Sequence, residues 1–351
     1  MPSSIGILTF HYSGNYGAVL QAYGLFHAIR ALGHDPVVVD YRPAAARAYV
    51  NQWGLRTGAP VAAARKRWRF KRFIAKQFTL TPRQYLRPED FDHTPPTFPI
   101  YICGSDQPWN ITADRGFDRP FFLDFALRQN ARRVSYAPSF GKTTDLGQHR
   151  DQIARLLTSF DHLSVRDQPS ADLLRNLTGL DPAIVMDPTF LVDFEAVTQP
   201  PDLPEDYLLT YAGKFSNRHV QLVHDLARRL NLAVVSVHQP FPGAARNHRD
   251  AGVEQWLGLF KHARFICTNY FHGTAFAIKF RKDFLLFPRH GNESRMLDLI
   301  GRVGLTDRFV PPEAHAAPDS PECLAIDYSS VEPRLSDEIQ RSCEYLRKSV
   351  S

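Results

Sequence analysis

The chain has 351 residues, a formal net charge of +6, 44% hydrophobic residues and 22% charged residues. This length exceeds one typical hydrophobic core and predicts about two domains, while the ordinary composition excludes large-scale disorder. The modest positive charge fits an anionic substrate or a membrane surface, and it is too small and dispersed to indicate a nucleic-acid-binding protein. The four cysteines lack the spacing of a metal site or a disulfide framework, so we expect buried, reduced thiols and no metal.

The start of the chain predicts a strand–helix–strand unit. Residues 5–10 form a short apolar run typical of a central parallel strand, and apolar residues at helical spacing follow over residues 18–32. The turn between them carries Gly14, Asn15 and Gly17, which makes it a candidate ligand site. Its glycine pattern lacks the three-glycine fingerprint and is weak evidence for a dinucleotide. With neither a signal-peptide pattern nor a run of 18 apolar residues, the sequence predicts a cytoplasmic protein.

A basic segment lies within the irregular stretch of about residues 43–97. Residues 65–73 hold six basic and three aromatic residues, and we predict a helix there. One interpretation is a solvated helix face whose aromatic side chains cover the neighbouring domain. The other is peripheral docking on anionic lipid head groups at the inner face of the membrane, where each basic residue contributes ~1 kcal/mol. Both interpretations remain open at this stage.

Polar residues follow a series of predicted strands in the first half of the chain. The strand at residues 99–103 is followed by residues 104–110, the strand at 133–137 by residues 138–141, and the strand at 162–165 by Arg166 and Asp167. The carboxyl ends of parallel strands share one edge of a sheet, where ligands bind. The sequence therefore predicts that these polar turns line a cleft.

A second strand–helix alternation begins after a proline-rich linker near residue 200. Strands are predicted at residues 207–211 and 233–237, and helices at 217–230 and 253–262. This alternation predicts a second doubly wound parallel sheet. Further helices are expected from residue 292 and over residues 332–348.

The most informative stretch is residues 264–287, which reads as strand, polar turn, short helix and strand. We predict that His272 and Gly273 lie in the turn and that the helix covers residues 274–280. A helix N-terminus after a strand is a natural anion site, Gly273 would let the backbone approach a ligand, and Thr274 could cap the helix or donate its hydroxyl. The alternative is that His272 caps its own turn.

Seven segments of the chain together resemble one protein family. They are Gly14 to Tyr23, Gly104 to Asn110, Tyr136 to Gly141, Ser164 to Asp167, Met186 to Thr189, Thr268 to Gly273 and Asn292 to Arg295. In this order they look like the polysaccharide pyruvyl transferase family, over nearly the whole chain. Each segment alone is weak, whereas the ordered set is specific.

The resemblance implies an α/β fold of two Rossmann-like, doubly wound domains facing a cleft, similar to the glycosyltransferase-B fold. Residues 1–190 would form the acceptor-side domain with the basic helical insert, and residues 205–330 the phosphoenolpyruvate-side domain. Residues 332–351 would form a terminal helix that crosses back to the N-terminal domain. The implied reaction moves pyruvate from phosphoenolpyruvate to two hydroxyls of a sugar of a polysaccharide or its precursor as a ketal, which releases phosphate.

The resemblance also implies the residues of the site. For phosphoenolpyruvate, the co-substrate of a reaction without cofactor or metal, the family's binding residues carry over to Arg166, Phe271 and His272. We add Gly273, Thr274, Asn292 and Arg295 as further predicted binding residues. Family members with a demonstrated activity often have arginine two places before the histidine, where this chain has Tyr270. A tyrosine cannot supply a fixed positive charge, and we expect Arg295 or Lys279 to supply it instead.

The chemistry of the reaction suggests two catalytic residues. A histidine is a plausible acid for protonating the methylene carbon, which assigns His272, and a carboxylate is a plausible base for the sugar hydroxyl, which assigns Asp106. The acceptor, a sugar or a lipid-linked oligosaccharide, would meet Asn15, Ser105, Asp106, Asn110 and Tyr136. Two alternatives stay open, a nucleotide-sugar-dependent glycosyltransferase of similar fold and a non-catalytic sugar-binding protein.

Overall fold

A computed structural model of the chain describes residues 3–12, 14–43, 59–203, 206–289, 293–312 and 325–351. The chain divides into two compact units. Unit 1 consists of Met1–Arg56, Ile74–Asp193 and Asp337–Ser351, and unit 2 consists of Thr57–Phe73 and Phe194–Ser336. The whole basic segment, residues 65–73, therefore belongs to unit 2.

Unit 1 is built on a parallel sheet of four strands in the order β2-β1-β3-β4. These strands are β1 (Ser4–Leu8), β2 (Asp35–Val38), β3 (Ile100–Cys103) and β4 (Arg132–Ser135). All residues of β3 are buried, as expected for an apolar strand covered on both faces. A second parallel pair consists of β5 (Ser164–Val165) and β6 (Ala183–Ile184).

The helices of unit 1 follow its strands in chain order. Helix α1 (Tyr16–Ala31) begins after Asn15, whose side chain accepts hydrogen bonds from the backbone N–H groups of Gly17 and Ala18. Helix α1 packs tightly on the turn at Pro188, because a Cβ at Gly24 would lie only 2.3 Å from the Pro188 carbonyl oxygen. The boundary between the units falls within α2 (Pro60–Gln77), and unit 1 also contains α3 (Asp90–His93), α4 (Arg150–Thr158) and α5 (Gln168–Thr178).

Unit 2 is built on a parallel sheet of five strands in the order β11-β10-β7-β8-β9. They are β7 (Tyr207–Tyr211), β8 (Ala233–Val237), β9 (Arg246–His248), β10 (Phe265–Thr268) and β11 (Asp283–Leu286). The intervening helices are α6 (Asn217–Arg229), α7 (Val253–His262), α8 (Phe271–Lys279) and α9 (Glu293–Arg302). Strand β9 was not predicted, because its three residues are polar and lie at the edge of the sheet.

The last helix, α10 (Tyr328–Val350), contains the other boundary between the units. Within unit 1, Ser342 Oγ accepts a hydrogen bond from Met186 N at 2.8 Å, and Tyr345 donates its hydroxyl to Ser135 O at 3.0 Å. Within unit 2, Tyr328 donates its hydroxyl to Lys282 O at 2.8 Å.

The structure confirms the predicted α/β class with parallel sheets. The prediction of buried cysteines is wrong for Cys343, which is exposed on the surface of α10, whereas Cys103 and Cys267 are buried free thiols. Cys323 lies outside the described residues. None of the helices that the structure describes combines the length and apolar character needed to cross a lipid bilayer.

Candidate active site

The sheet of unit 2 has a topological switch point between β7 and β10. From β7 the chain proceeds to β8 on one side, and β10 and β11 then lie on the other side. Ligands of open α/β sheets bind outside the carboxyl ends of the strands at such a point. Here Asn269, which follows β10, accepts a hydrogen bond from Gly213 N, which follows β7, at 2.8 Å. The two strand ends are thereby held together.

His272 lies on the first turn of α8, beside this switch point. The helix begins at Phe271, so the prediction that His272 and Gly273 occupy a turn before a helix at residue 274 is wrong. The residue before the helix is Tyr270, whose side chain is not a typical N-cap. His272 is 7% exposed and has the ring of Phe271 edge-on at 5.3 Å. It is therefore held near the helix end that favours anions.

Gly273 and Thr274 have structural functions in the first turn of α8. A Cβ at Gly273 would lie 2.0 Å from Thr268 Oγ1 and 3.1 Å from Tyr211 Cδ1, so this position needs glycine to let α8 pack on β10 and β7. Thr274 is fully buried and donates its hydroxyl to Tyr270 O at 3.2 Å, so it does not cap the helix. Their contacts with a ligand stay predictions.

The remaining donor-site predictions fall at different places in unit 2. Arg295 is 4% exposed on α9, and Asn292 lies outside the described residues. Lys279 lies in the last turn of α8, with its Nζ 5.4 Å from the ring centroid of Phe194. The cation that lies over the Tyr270 ring is Arg289, whose Cζ is 4.5 Å from the ring centroid.

Sequence reasoning missed three basic residues near the same sheet edge. His238 directly follows β8, Arg289 follows β11, and Lys66 on α2 places its Nζ 2.9 Å from His238 Nδ1. The rule of polar residues after a strand, which identified the turns of unit 1, would have identified His238 and Arg289 as well. Nothing in the local sequence distinguishes Lys66 from its basic neighbours.

Unit 1 has its own switch point between β1 and β3. From β1 the chain proceeds to β2 on one side, and β3 lies on the other. The buried Gln21 of α1 connects the two strand ends, because its amide donates to Thr9 Oγ1 at 2.8 Å and accepts from Ser105 N at 2.9 Å. The predicted acceptor residues Ser105 and Asp106 therefore follow β3 at the switch point of this sheet.

A buried charged cluster lies behind Asp106. Arg166 donates from Nη1 to Asp187 Oδ2 at 3.0 Å, and its Nη2 is 3.9 Å from Asp106 Oδ1. Asp187 also accepts hydrogen bonds from Ser105 Oγ at 3.3 Å and from Thr189 Oγ1 at 2.8 Å. Both Arg166 and Asp187 are almost completely buried. Much of the positive charge of Arg166 is therefore balanced within unit 1.

The other predicted acceptor residues already hold loops of unit 1 in place. Asn15 is exposed but its side chain caps α1. Asn110 Oδ1 accepts from Thr112 Oγ1 at 2.8 Å and from Thr143 Oγ1 at 3.2 Å. Tyr136 is fully buried and donates its hydroxyl to the backbone of residue 186 at 3.2 Å. A sugar could reach Tyr136 only after this side chain moved, and the assignments of all three stay predictions.

A second polar cluster of unit 1, not identified from the sequence, follows β1 and β2. His11 Nε2 lies 2.9 Å from Asp40 Oδ1, and Arg42 binds the same carboxylate with two nitrogens. Burial raises the pKa of Asp40, but the hydrogen bonds from His11, Arg42 and Gln84 outweigh it and lower that pKa to about 2. Tyr41, the residue after Asp40, donates its hydroxyl to Asp118 Oδ1 at 2.7 Å, and burial raises the pKa of Asp118 to about 6.

Among the described residues, no group of three or more histidine, cysteine, aspartate or glutamate side chains is placed to hold a metal ion.

Comparison with solved structures shows the fold class. UGT89C1 of Arabidopsis thaliana, solved with UDP-L-rhamnose, has a TM-score of 0.56 and 10% identity over 99% of this chain and 98% of that chain. A putative UDP-N-acetylglucosamine 2-epimerase from Listeria monocytogenes has a TM-score of 0.50 and 9% identity over 99% of this chain and 91% of that chain. These neighbours are glycosyltransferase-B-type enzymes and epimerases, so the predicted glycosyltransferase-B-like class is confirmed. At such low identity they carry no argument about function.

Comparison with models of protein families shows the family to which the chain is related. A search of the curated proteins finds no significant match. The family model described as "Polysaccharide pyruvyl transferase" matches residues 15–291, well over half of the chain. That range contains the switch point of unit 2, Asp106, His272 and the cluster of Arg166 and Asp187. The chain belongs to the polysaccharide pyruvyl transferase family, as its ordered motifs predicted.

Proposed function

We propose that this chain transfers pyruvate from phosphoenolpyruvate to two hydroxyls of a sugar in a polysaccharide or its precursor, forms a cyclic ketal and releases phosphate. The observation that carries the proposal is the position of His272 in a chain of this family. It lies on the first turn of α8, directly after β10 and beside the switch point of unit 2. This arrangement supports an anionic donor next to a residue that can move a proton.

The reaction needs one proton delivered and two removed. Protonation of the methylene carbon converts it to a methyl group and leaves an oxocarbenium-like centre at the adjacent carbon, which the first sugar hydroxyl attacks as it loses its proton. The second hydroxyl then replaces phosphate at the same carbon and loses its proton, which completes the ketal. We assign the first proton to His272, because histidine is a common general acid in enzymes and this one lies at the anion-favouring end of a helix.

We assign the general base for the acceptor to Asp106. It follows β3 at the switch point of unit 1, and it has a left-handed backbone with φ of 72°. Its backbone carbonyl accepts a hydrogen bond from Ser139 N at 2.8 Å, which fixes the turn. Asp106 is 8% exposed, whereas Arg166 behind it is 2% exposed. Of the predicted acceptor residues, Asp106 has the chemistry of a base.

The decisive experiment measures phosphate release from phosphoenolpyruvate with a panel of glycan acceptors. We expect acceptor-dependent release by the wild type and a loss of about 10²–10⁴-fold in His272→Gln, which keeps a hydrogen-bonding side chain but cannot deliver the proton. A melting curve serves as the control, because a purely structural cap would lower stability more than rate. Turnover within about threefold of wild type, far below that acid–base range, would remove His272 from catalysis.

The same panel separates the two alternative functions. A nucleotide-sugar-dependent glycosyltransferase would bind or hydrolyse a nucleotide sugar and ignore phosphoenolpyruvate. A non-catalytic sugar-binding protein needs no acid, so its affinity for a glycan would survive His272→Ala. Release of phosphate that depends on both phosphoenolpyruvate and an acceptor would exclude both.

We also propose that α2 contacts an anionic lipid surface. The residues at helical spacing on its exposed face are Ala64, Arg67, Trp68, Lys71, Arg72 and Ala75. The Trp68 side chain is 60% exposed, and Arg72 lies over its ring at 5.6 Å from the centroid. Basic residues around an exposed tryptophan suit the head-group region of a membrane. The buried Lys66 is not part of this surface.

A further inference from the structure

The carboxyl ends of four neighbouring strands of unit 2 carry a row of aromatic and basic side chains. Arg289 follows β11, Tyr270 follows β10, Tyr211 ends β7, and His238 follows β8, so the sheet order places them side by side. The Arg289 guanidinium lies 4.5 Å from the Tyr270 ring centroid, and the rings of Tyr270 and Tyr211 are 4.8 Å apart. The His238 ring is 6.2 Å from Tyr211 and 6.4 Å from Tyr270.

Lys66 reaches this row from helix α2. Its Nζ lies 2.9 Å from His238 Nδ1, and only 3% of the residue is exposed. The helix is fixed on unit 2 one turn further along, because Arg69 donates to Asp250 O at 2.7 Å and packs its stem against Gly252. A Cβ at Gly252 would lie 3.0 Å from the Cβ of Arg69. The position of Lys66 is therefore set by packing and not by a flexible side chain.

The electrostatics of the row favour a negatively charged guest. Burial lowers the pKa of His238, and the positive charges of Lys66 and Arg289 lower it further. Burial also lowers the pKa of Lys66 well below its ordinary value, because the ammonium is removed from water. Lys66, His238 and Arg289 gather basic groups at the carboxyl ends of the strands, where ligands of open α/β sheets bind, and such a group of side chains attracts an anion. Strongly perturbed titratable groups at a strand edge are typical of functional sites.

We propose that Lys66 and Arg289, with His238 and Tyr270 between them, form the subsite that holds an anionic group of the donor, a carboxylate or a phosphate. That this ligand is the donor rests on the proposed function. When the anion binds, its negative charge favours the protonated amine of Lys66, which then supplies a point charge from the buried side. Arg289, which is exposed, supplies a planar fork from the solvent side. His238 positions the ammonium of Lys66, and the Tyr270 ring positions the guanidinium of Arg289.

The test measures the binding of phosphoenolpyruvate and of inorganic phosphate by titration calorimetry. Lys66→Met keeps an unbranched side chain of similar length in the buried position, and Arg289→Gln changes an exposed residue whose loss leaves the core intact. We expect each to raise the Kd of phosphoenolpyruvate about tenfold to a hundredfold, the effect of losing one charge-assisted hydrogen bond. The matched control is Arg72→Gln, an exposed change on the same helix, which should stay within about twofold because exposed charges act weakly.

The outcomes test the proposed subsite and the proposed donor separately. If the wild type binds phosphoenolpyruvate and both variants bind it equally well, the subsite is wrong and the proposed donor stands. If the wild type ignores phosphoenolpyruvate but binds inorganic phosphate through both residues, the subsite stands and the donor is wrong. If only one of the two variants loses affinity for the anion, the subsite does not consist of both cations and the proposal is wrong. If the wild type binds neither phosphoenolpyruvate nor inorganic phosphate, both the subsite and the proposed donor are wrong.

Discussion

Replacing Arg166 by methionine removes the cation of a buried ion pair while it keeps most of the side-chain volume. The guanidinium donates to Asp187 at 3.0 Å, and both residues are at most 2% exposed. Removing one partner of such a pair destabilises a protein by about 3–5 kcal/mol, because the other charge stays buried without compensation. For a domain of about 150–250 residues, 1 kcal/mol moves the melting temperature by about 2–4 °C. We therefore expect Arg166→Met to melt about 6–20 °C below the wild type.

Differential scanning calorimetry of the wild type, the two single variants and the double variant measures how strongly Arg166 and Asp187 stabilise each other. Arg166→Met and Asp187→Asn should each melt lower, and the double variant should recover a large part of the loss, since neither charge is then left alone. Arg175→Met is the matched control, because Arg175 also pairs with aspartates but at the surface, where such pairs contribute little to stability. The reasoning is refuted if Arg166→Met melts within about 2 °C of the wild type, a shift below the range of a buried pair.

The same variant tests whether Arg166 also binds the donor. A ligand that binds only the native protein raises its melting temperature, so phosphoenolpyruvate should stabilise the wild type. If Arg166 contacts the ligand, Arg166→Met should lose most of this increase, measured from its own lower baseline. An increase equal to that of the wild type would leave Arg166 with a structural function alone.

Three further predictions follow from the contacts. Burial raises the pKa of Asp118 to about 6, so its proton stabilises the fold fully below about pH 4, and this stabilisation is lost as pH rises through 6. At pH 7, Asp118→Asn should therefore have a free energy of unfolding up to ~3 kcal/mol above that of the wild type and a higher melting temperature, and near pH 4 the two proteins should be equally stable. A lower melting temperature of the variant at pH 7 would contradict the raised pKa of Asp118. Gly273→Ala should destabilise by about 1–3 kcal/mol through its 2.0 Å clash with Thr268, whereas Gly301→Ala, with no atom nearer than 3.9 Å, should be neutral or stabilising in thermal melts. Co-sedimentation of the wild type with anionic vesicles should fall as the salt concentration rises, and it should disappear when Arg67, Lys71 and Arg72 are all changed to glutamine. If that variant still binds the vesicles, these three residues do not form the lipid-binding surface.

The alternating strands and helices were predictable, because the buried face of each element makes apolar residues recur at regular spacing in the sequence. Strand β7 and helix α7 have the predicted bounds, since their apolar residues follow strand and helix periods and polar residues flank them. Helix α8 begins earlier than predicted, because the aromatic, histidine and glycine residues at its start have weak helix propensity. Tertiary packing of Gly273 on Thr268 overrides that local preference.

The candidate site was predictable only where its residues directly follow a strand. Asp106 and His272 meet that condition, and the rule places them at the switch points that the two sheets have. Lys66 does not meet it, since its burial depends on how α2 packs through Arg69 and Asp250. In the sequence Lys66 stands among exposed basic residues, so composition assigned it to the surface.

Residue type predicts what a side chain can do, and burial decides whether a ligand can reach it. Tyr136 and Asp106 both follow strands of unit 1, yet Tyr136 is fully enclosed with its hydroxyl bound to the backbone, and Asp106 keeps some exposure. Burial raises the pKa of Tyr136 well above its ordinary value, so its hydroxyl remains a hydrogen-bond donor to that carbonyl. A phenol in this state stabilises a loop, whereas we propose that the less enclosed carboxylate of Asp106 at the switch point takes part in proton transfer. We therefore expect the polar strand ends of unit 1 to divide into those that build the edge of the sheet and those that meet a substrate there.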